Sequence, residues 1–258
     1  MNEPFVVGVF DSGSGGLTVV RELLRLRPDV HVLYLADTAN LPYGDKSTDE
    51  IKRFAVRNVR FLESMGAGII AVACNTSSSQ AIHEMRQHAR VSVLDIVSCG
   101  ARLAASASST GRIGVVATEG TVRSGAYAQQ IKLIRQDACV QSVACPRLVP
   151  LIEGGAPEPE MDHWVETYLA EFTIEYDVLV LGCTHYPLIS HVFRRYLPEG
   201  VQLVDPAKEI AFKVCQLLPE PNGTRWLRFF ATGDSSGLKR RAAETLGLKV
   251  ESVEKVEL

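Results

Sequence analysis

The sequence predicts an α/β protein built as two similar doubly wound α/β domains that face each other across a central active-site cleft. Three observations predict this. Short apolar runs rich in Val, Ile and Leu alternate with stretches of helical periodicity along the chain, the pattern of parallel strands covered on both faces. The opening Val6-Val7-Gly8-Val9-Phe10-Asp11-Ser12 is echoed by Arg112-Ile113-Gly114-Val115-Val116-Ala117-Thr118. Two cysteines, Cys74 and Cys183, also sit in matching surroundings, one in each half.

The candidate strands are Phe5–Phe10, Val32–Ala36, Gly68–Ala73, Val91–Ile96, Arg112–Ala117, Val140–Ala144, Val178–Leu181, Val201–Val204 and Leu227–Ala231. Several are apolar throughout rather than alternating, which fits strands buried on both faces. Between them, Ser47-Thr48-Asp49-Glu50 reads as a capping box. Ile51, Phe54, Ala55, Val59, Leu62 and Met65 follow at helical spacing, and Gly66 is the stop. Trp164, Val165, Tyr168, Leu169 and Phe172 mark a second amphipathic helix. Pro187 suits the first turn of a third, which carries Ile189, Val192, Phe193, Tyr196 and Leu197. The small, polar stretch Ala101–Thr110, within Ser98–Gly111, reads as a domain boundary. Residues 1–97 with 208–258 are expected to form the Cys74 domain, and 98–207 the Cys183 domain.

The composition narrows the function. The 258 residues carry a net charge of −3, without the basic footprint of a nucleic-acid binder. The short cluster Lys239-Arg240-Arg241 reads as a solvated helix face. No apolar run is long enough to span a membrane. Met1-Asn2-Glu3-Pro4 leads straight into a strand without a signal-peptide pattern, so the cytoplasm is the expected compartment. Six cysteines are spread widely over a chain with ample core, which argues for reduced thiols. Without a CxxC pair or a spaced Cys/His set, no metal site is expected.

Cys74 follows Gly68-Ile69-Ile70-Ala71-Val72-Ala73 and precedes Asn75-Thr76. Cys183 follows Asp177-Val178-Leu179-Val180-Leu181-Gly182 and precedes Thr184-His185. Each thiol therefore falls where a strand hands over to a helix, the edge at which open α/β sheets bind ligands. Helix N–H groups there favour a thiolate. Either cysteine alone reads as an ordinary buried residue; the pair suggests one base on each face of a single carbon. Cys99, Cys139, Cys145 and Cys215 lack this setting and read as structural. Asp11-Ser12-Gly13-Ser14-Gly15-Gly16 follows the first strand. It departs from a dinucleotide fingerprint at Thr18, and its leading carboxylate is unwelcome beside a pyrophosphate. The alternatives are a tight βα turn or a small-substrate loop in which Asp11 pairs with an ammonium or orients a base. Asp37-Thr38-Ala39-Asn40-Leu41-Pro42-Tyr43-Gly44 reads either as a surface connection or as a pocket wall on the same sheet edge.

These segments, with Leu151-Ile152-Glu153-Gly154-Gly155, Leu181-Gly182-Cys183-Thr184-His185-Tyr186-Pro187 and Val204-Asp205-Pro206-Ala207, run in the order found in one family. The chain resembles the bacterial glutamate racemases among the cofactor-independent, two-cysteine aspartate/glutamate racemases. The resemblance implies interconversion of L- and D-glutamate, supplying D-glutamate for peptidoglycan, without a cofactor and in a homodimer. It implies that Cys74 deprotonates D-glutamate and Cys183 L-glutamate. Asp11 and His185 would tune these thiols, and Ser12, Asn75, Thr76 and Thr184 would bind the substrate's charged groups. The Pro42-Tyr43-Gly44 turn would close over the substrate, and Glu153 would assist on the Cys183 side. Two features depart from the family pattern: the polar loop Ala105–Gly111, and the lack of the long N-terminal extension of members regulated by a cell-wall precursor, so that regulation is not expected. The competing readings are a racemase for aspartate or another amino acid, a hydrolase with one nucleophilic cysteine, and a small-anion-binding module with buried cysteines.

Overall fold

The computed structural model describes residues 5–220 and 225–258; the Met1–Pro4 segment lies outside them. The first sheet unit runs β1 (Val6–Asp11), α1 (Leu17–Leu26), β2 (His31–Ala36), α2 (Thr48–Ser64), β3 (Ile69–Val72), α3 (Asn75–His88) and β4 (Ser92–Asp95). Helix α4 (Ile96–Ala107) leads into β5 (Arg112–Ala117), α5 (Glu119–Ser124), α6 (Ala126–Ile134), β6 (Cys139–Ala144), α7 (Leu148–Gly154), α8 (Glu158–Leu169), β7 (Val178–Gly182), α9 (Ser190–Tyr196) and β8 (Gln202–Val204). Helix α10 (Pro206–Leu217) returns the chain to β9 (Leu227–Ala231), α11 (Ser235–Leu246) and β10 (Glu254–Lys255).

Two all-parallel sheets result, ordered β10-β9-β2-β1-β3-β4 and β6-β5-β7-β8. Alternation along the strands assigns each side chain to a face. Val7 and Val9 of β1 join one apolar cluster while Val6 and Phe10 join another; Ile113 and Val115 of β5 join the first, and Val116 a third. The first cluster takes residues from both sheets. It is a shared middle layer filled by α1, α4, α6 and α10, with one further layer outside each sheet. The two units are thus welded by a common core, and burial of both strand faces explains their near-continuous apolar runs.

The capping box at Ser47 forms: Glu50 N–H donates to the Ser47 hydroxyl, and Ser47 N–H donates to the Glu50 carboxylate at 3.0 Å. The small, polar stretch around Ala101–Thr110 takes regular structure. Residues up to Ala107 are helical, and α4 lies buried between the sheets. Its small residues permit close packing rather than a linker. A Cβ on Gly100 would lie 2.8 Å from Pro206 Cγ and 3.0 Å from the Tyr127 hydroxyl. The polar residues after α4 are not idle either, since Ser108 Oγ, Ser109 N–H and Thr110 N–H all donate to Asp177. Those bonds hold the Asp177 carboxyl below its usual range against the opposing effect of its partial burial. At Pro187 the expected helix begins as a 3₁₀ turn, Tyr186–Ile189, before α9.

Candidate active site

Both sheets change winding direction next to their first strand: β1 is flanked by β2 and β3, and β5 by β6 and β7. Such switch points open a crevice at the carboxyl ends of the strands. Asp11 and Cys74 stand at the ends of β1 and β3, and Thr118 and Cys183 at the ends of β5 and β7. The two crevices meet in one pocket, lined by Asp11, Ser12, Pro42, Tyr43, Gly44, Cys74, Asn75, Thr76, Cys183, Thr184 and His185. Cys74 comes from the six-stranded sheet and Cys183 from the four-stranded one.

The surroundings of the two thiols match less closely than their sequences. Cys74 is the N-cap of α3, and its sulfur accepts a hydrogen bond from Ser77 N–H at 3.4 Å. Burial and then the charge of Asp11 push the Cys74 thiol up to about 12, against donation from Ser77 and Ser12. Cys183 precedes the 3₁₀ turn instead, so a helix N-terminus is lacking there. Its neighbour is His185, with Nδ1 3.8 Å from Cys183 Sγ. His185 Nε2 meets Glu153 Oε1 at 2.6 Å. Burial opposes the imidazolium, but the bonds to Cys183 and Glu153 prevail and raise its pKa well above the usual value. Burial likewise opposes the Glu153 carboxylate, but His185 and Ser14 hold it down to about 2. Glu153 stands behind His185, outside the pocket wall, where Ser14 Oγ also donates to it at 2.8 Å.

The loop after β1 owes its form to Asp11. This buried carboxylate accepts from Gly13 N–H at 3.3 Å and from Gly16 N–H at 2.9 Å. The donors that would cradle a phosphate are therefore already engaged. Thr184 Oγ1 reaches Asp11 at 3.3 Å from the other half of the chain. Asn75 is oriented by Tyr127, whose hydroxyl donates to Oδ1 at 2.7 Å and leaves buried Nδ2 without a protein partner. The Pro42-Tyr43-Gly44 turn is held from behind: the Tyr43 hydroxyl donates to buried Asp37 at 2.5 Å, and Arg57 pairs with the same carboxylate at 3.0 Å.

Several pocket residues escape the sequence reading. Thr118 lines the pocket, and its hydroxyl lies 2.9 Å from that of Thr76 and 3.0 Å from that of Thr121. Thr118 ends the very strand that echoes the opening of the chain, so the echo itself points to it. Cys145, with Pro146, Val149 and Pro150, forms a wall. In the sequence it lacks the setting of the other two thiols, yet it follows β6 at the same sheet edge. It is fully buried, and that burial raises its pKa well above the ordinary thiol value. The basic cluster near the C-terminus is also only partly solvated, because Arg241 donates to the Ile152 and Glu153 carbonyls. Among the described residues, no group of three or more His, Cys, Asp or Glu side chains is arranged to hold a metal ion, and no helix is long and apolar enough to cross a membrane.

Known proteins share this architecture over the whole chain. The Asp/Glu/hydantoin racemase family profile matches residues 14–213. The glutamate racemase of Desulforudis audaxviator is 42% identical, with 97% of each chain covered. The crystal structure of glutamate racemase isoform RacE1 from Bacillus anthracis superposes with a TM-score of 0.94 at 32% identity, covering 100% of this chain and 99% of that one. The Francisella tularensis glutamate racemase, crystallised with D-glutamate, gives 0.90 at 31% identity, covering 98% and 97%. With its two-sheet fold and full-length likeness to these enzymes, the chain belongs to the Asp/Glu/hydantoin racemase family, among the glutamate racemases.

Proposed function

We propose that this enzyme interconverts L- and D-glutamate by two-base proton transfer, with Cys74 on one face of the α-carbon and Cys183 on the other. The observation that carries the reading is the pair of thiols, one from each sheet, in a single pocket at the two switch points. By the family pattern, the Cys183 thiolate takes the α-proton of L-glutamate. The C–H electron pair passes into the α-carboxylate, and the Cys74 thiol donates its proton to the opposite face. D-glutamate runs the same steps with the roles exchanged.

Electrostatics couple this chemistry to binding. Burial and the Asp11 charge hold the proton on Cys74. A substrate ammonium placed against Asp11 offsets that charge and makes the thiolate accessible. Among the described residues, the lining contains no lysine or arginine. The two carboxylates therefore meet Ser12, Asn75, Thr76, Thr118 and Thr184, with the His185 imidazolium beside Cys183. Free Asn75 Nδ2 is a donor already aimed by Tyr127. Fixed donors of this kind stabilise charge as it develops without reorganising. The Tyr43-Gly44 turn excludes water. The chain divides into residues 1–97 with 208–258 on the Cys74 side and 98–207 on the Cys183 side.

The product is D-glutamate for peptidoglycan, and the setting is a cytoplasmic homodimer, a compartment in keeping with six free cysteines. The reaction asks for no cofactor. Protein dialysed against a chelator is expected to bring the circular dichroism of L-glutamate to zero without releasing ammonia or any other product. A persistent signal, or activity restored only by metal or pyridoxal phosphate, would overturn the reading.

A further inference from the structure

Arg241 lies on α11, in the six-stranded unit, far in sequence from either thiol. Its side chain crosses to the other unit. Nη2 donates to the Ile152 carbonyl at 2.6 Å and to the Glu153 carbonyl at 2.8 Å. These carbonyls belong to the last turn of α7, a seven-residue helix capped by Gly155 in the left-handed region, φ +66°. So short a helix holds its end poorly by itself. The guanidinium there adds a second donor to the Ile152 carbonyl, which already accepts from Gly155 N–H at 3.2 Å, supplies one to the Glu153 carbonyl, and matches the negative end of the helix. The side chain is only 21% exposed, and its other nitrogen lies 3.6 Å from Glu244.

The clamped backbone is that of Glu153. From there the contacts run without a gap: Glu153 Oε1 to His185 Nε2 at 2.6 Å, then His185 Nδ1 to Cys183 Sγ at 3.8 Å. Ser14 fixes the same carboxylate from the six-stranded side. Glu153 is thus gripped twice across the seam, by Ser14 at the side chain and by Arg241 at the main chain. We infer that Arg241 is a positioning residue for the Cys183 half of the reaction: it clamps the end of α7 so that Glu153 holds His185 against the Cys183 thiol. This rests on the two-thiol reading above. Cys74 receives no part of this chain of contacts, so the effect of losing Arg241 is one-sided at the thiols.

The test uses the full-length Arg241→Met and Arg241→Lys variants beside Cys183→Ser. Misplacing a general base is costly, so Arg241→Met is expected to lower kcat about tenfold or more, with KM little changed. Arg241→Lys, which keeps a donor and the charge, is expected to recover most of that loss. Mass-spectrometric measurement of iodoacetamide alkylation at fixed pH should show Cys183 reacting more slowly in Arg241→Met and Cys74 reacting as before, because the thiolate is the nucleophile. A wild-type kcat in Arg241→Met, equal slowing of both thiols, or no advantage of lysine over methionine would each overturn the inference. If Cys183→Ser itself remains active, the two-thiol reading has failed instead.

Discussion

Cys74→Ser and Cys183→Ser are each expected to reduce racemisation by at least about 10³-fold in both directions. Each turnover needs one thiolate and one thiol, whichever isomer is consumed, so a single loss stops both directions. An alcohol is a much weaker acid than a thiol and cannot supply the base near neutral pH. The fold should tolerate the change. Serine is slightly smaller than cysteine, and at position 74 its oxygen can still accept from Ser77 N–H, the present partner of the sulfur. Polarimetry with each isomer, thermal melts and calorimetric binding of glutamate together make the check. Near-normal turnover in either variant, with an unchanged melt, would remove that cysteine from the mechanism.

Gly15→Ala is expected to be the most damaging change away from the thiols. A Cβ at that position would stand 2.6 Å from His185 Nδ1 and closer still to Thr184 Oγ1. Neither neighbour is the free end of a flexible chain. His185 is fixed by Glu153, and Thr184 by Asp11. The methyl group must therefore push apart the Asp11 loop and the Cys183 segment, at a stability cost of about 1–3 kcal/mol. The same displacement moves His185 and Asp11 relative to the substrate, which is expected to cost about a hundredfold in kcat/KM. A melting curve and initial rates measure the two effects separately. Wild-type rates would show that the seam between the halves is softer than its contacts imply.

The strands are legible because strands buried on both faces carry continuous apolar runs. That signal comes from the residues themselves and owes nothing to distant partners. Strand β10 is illegible for the same reason: Glu254-Lys255 is two polar residues that pair with β9 at an edge. The helical course of Ala101–Ala107 is not legible, because its alanines and serines, next to Gly100, look like a linker until the facing surface is known. Here that surface is Pro206 and Tyr127, which leave no room for a larger residue at 100. The thiols announce themselves through paired strand ends. Cys145 lacks a matched partner in the sequence, and Thr118 is marked only by the echo of the chain's opening; the sheet order brings both to the pocket. Arg241 looks solvated in the sequence because nothing local reveals a contact with carbonyls 88 and 89 positions away. Local chemistry is readable; contacts across the seam between the two units are not.

Two separate thiols facing one carbon are the core of the proposed mechanism, and the fate of the α-proton tests them most directly. L-glutamate is incubated with the enzyme in deuterium oxide, and the α-positions of both isomers are followed by NMR at low conversion. A proton removed by Cys183 stays with Cys183, while the proton delivered to the other face comes from Cys74, which has exchanged with solvent. The prediction is that D-glutamate is deuterated at the α-carbon from the outset, while the remaining L-glutamate gains deuterium more slowly. Substantial transfer of the original proton into D-glutamate would indicate one base serving both faces, and would contradict the placement of Cys74 and Cys183 across the substrate.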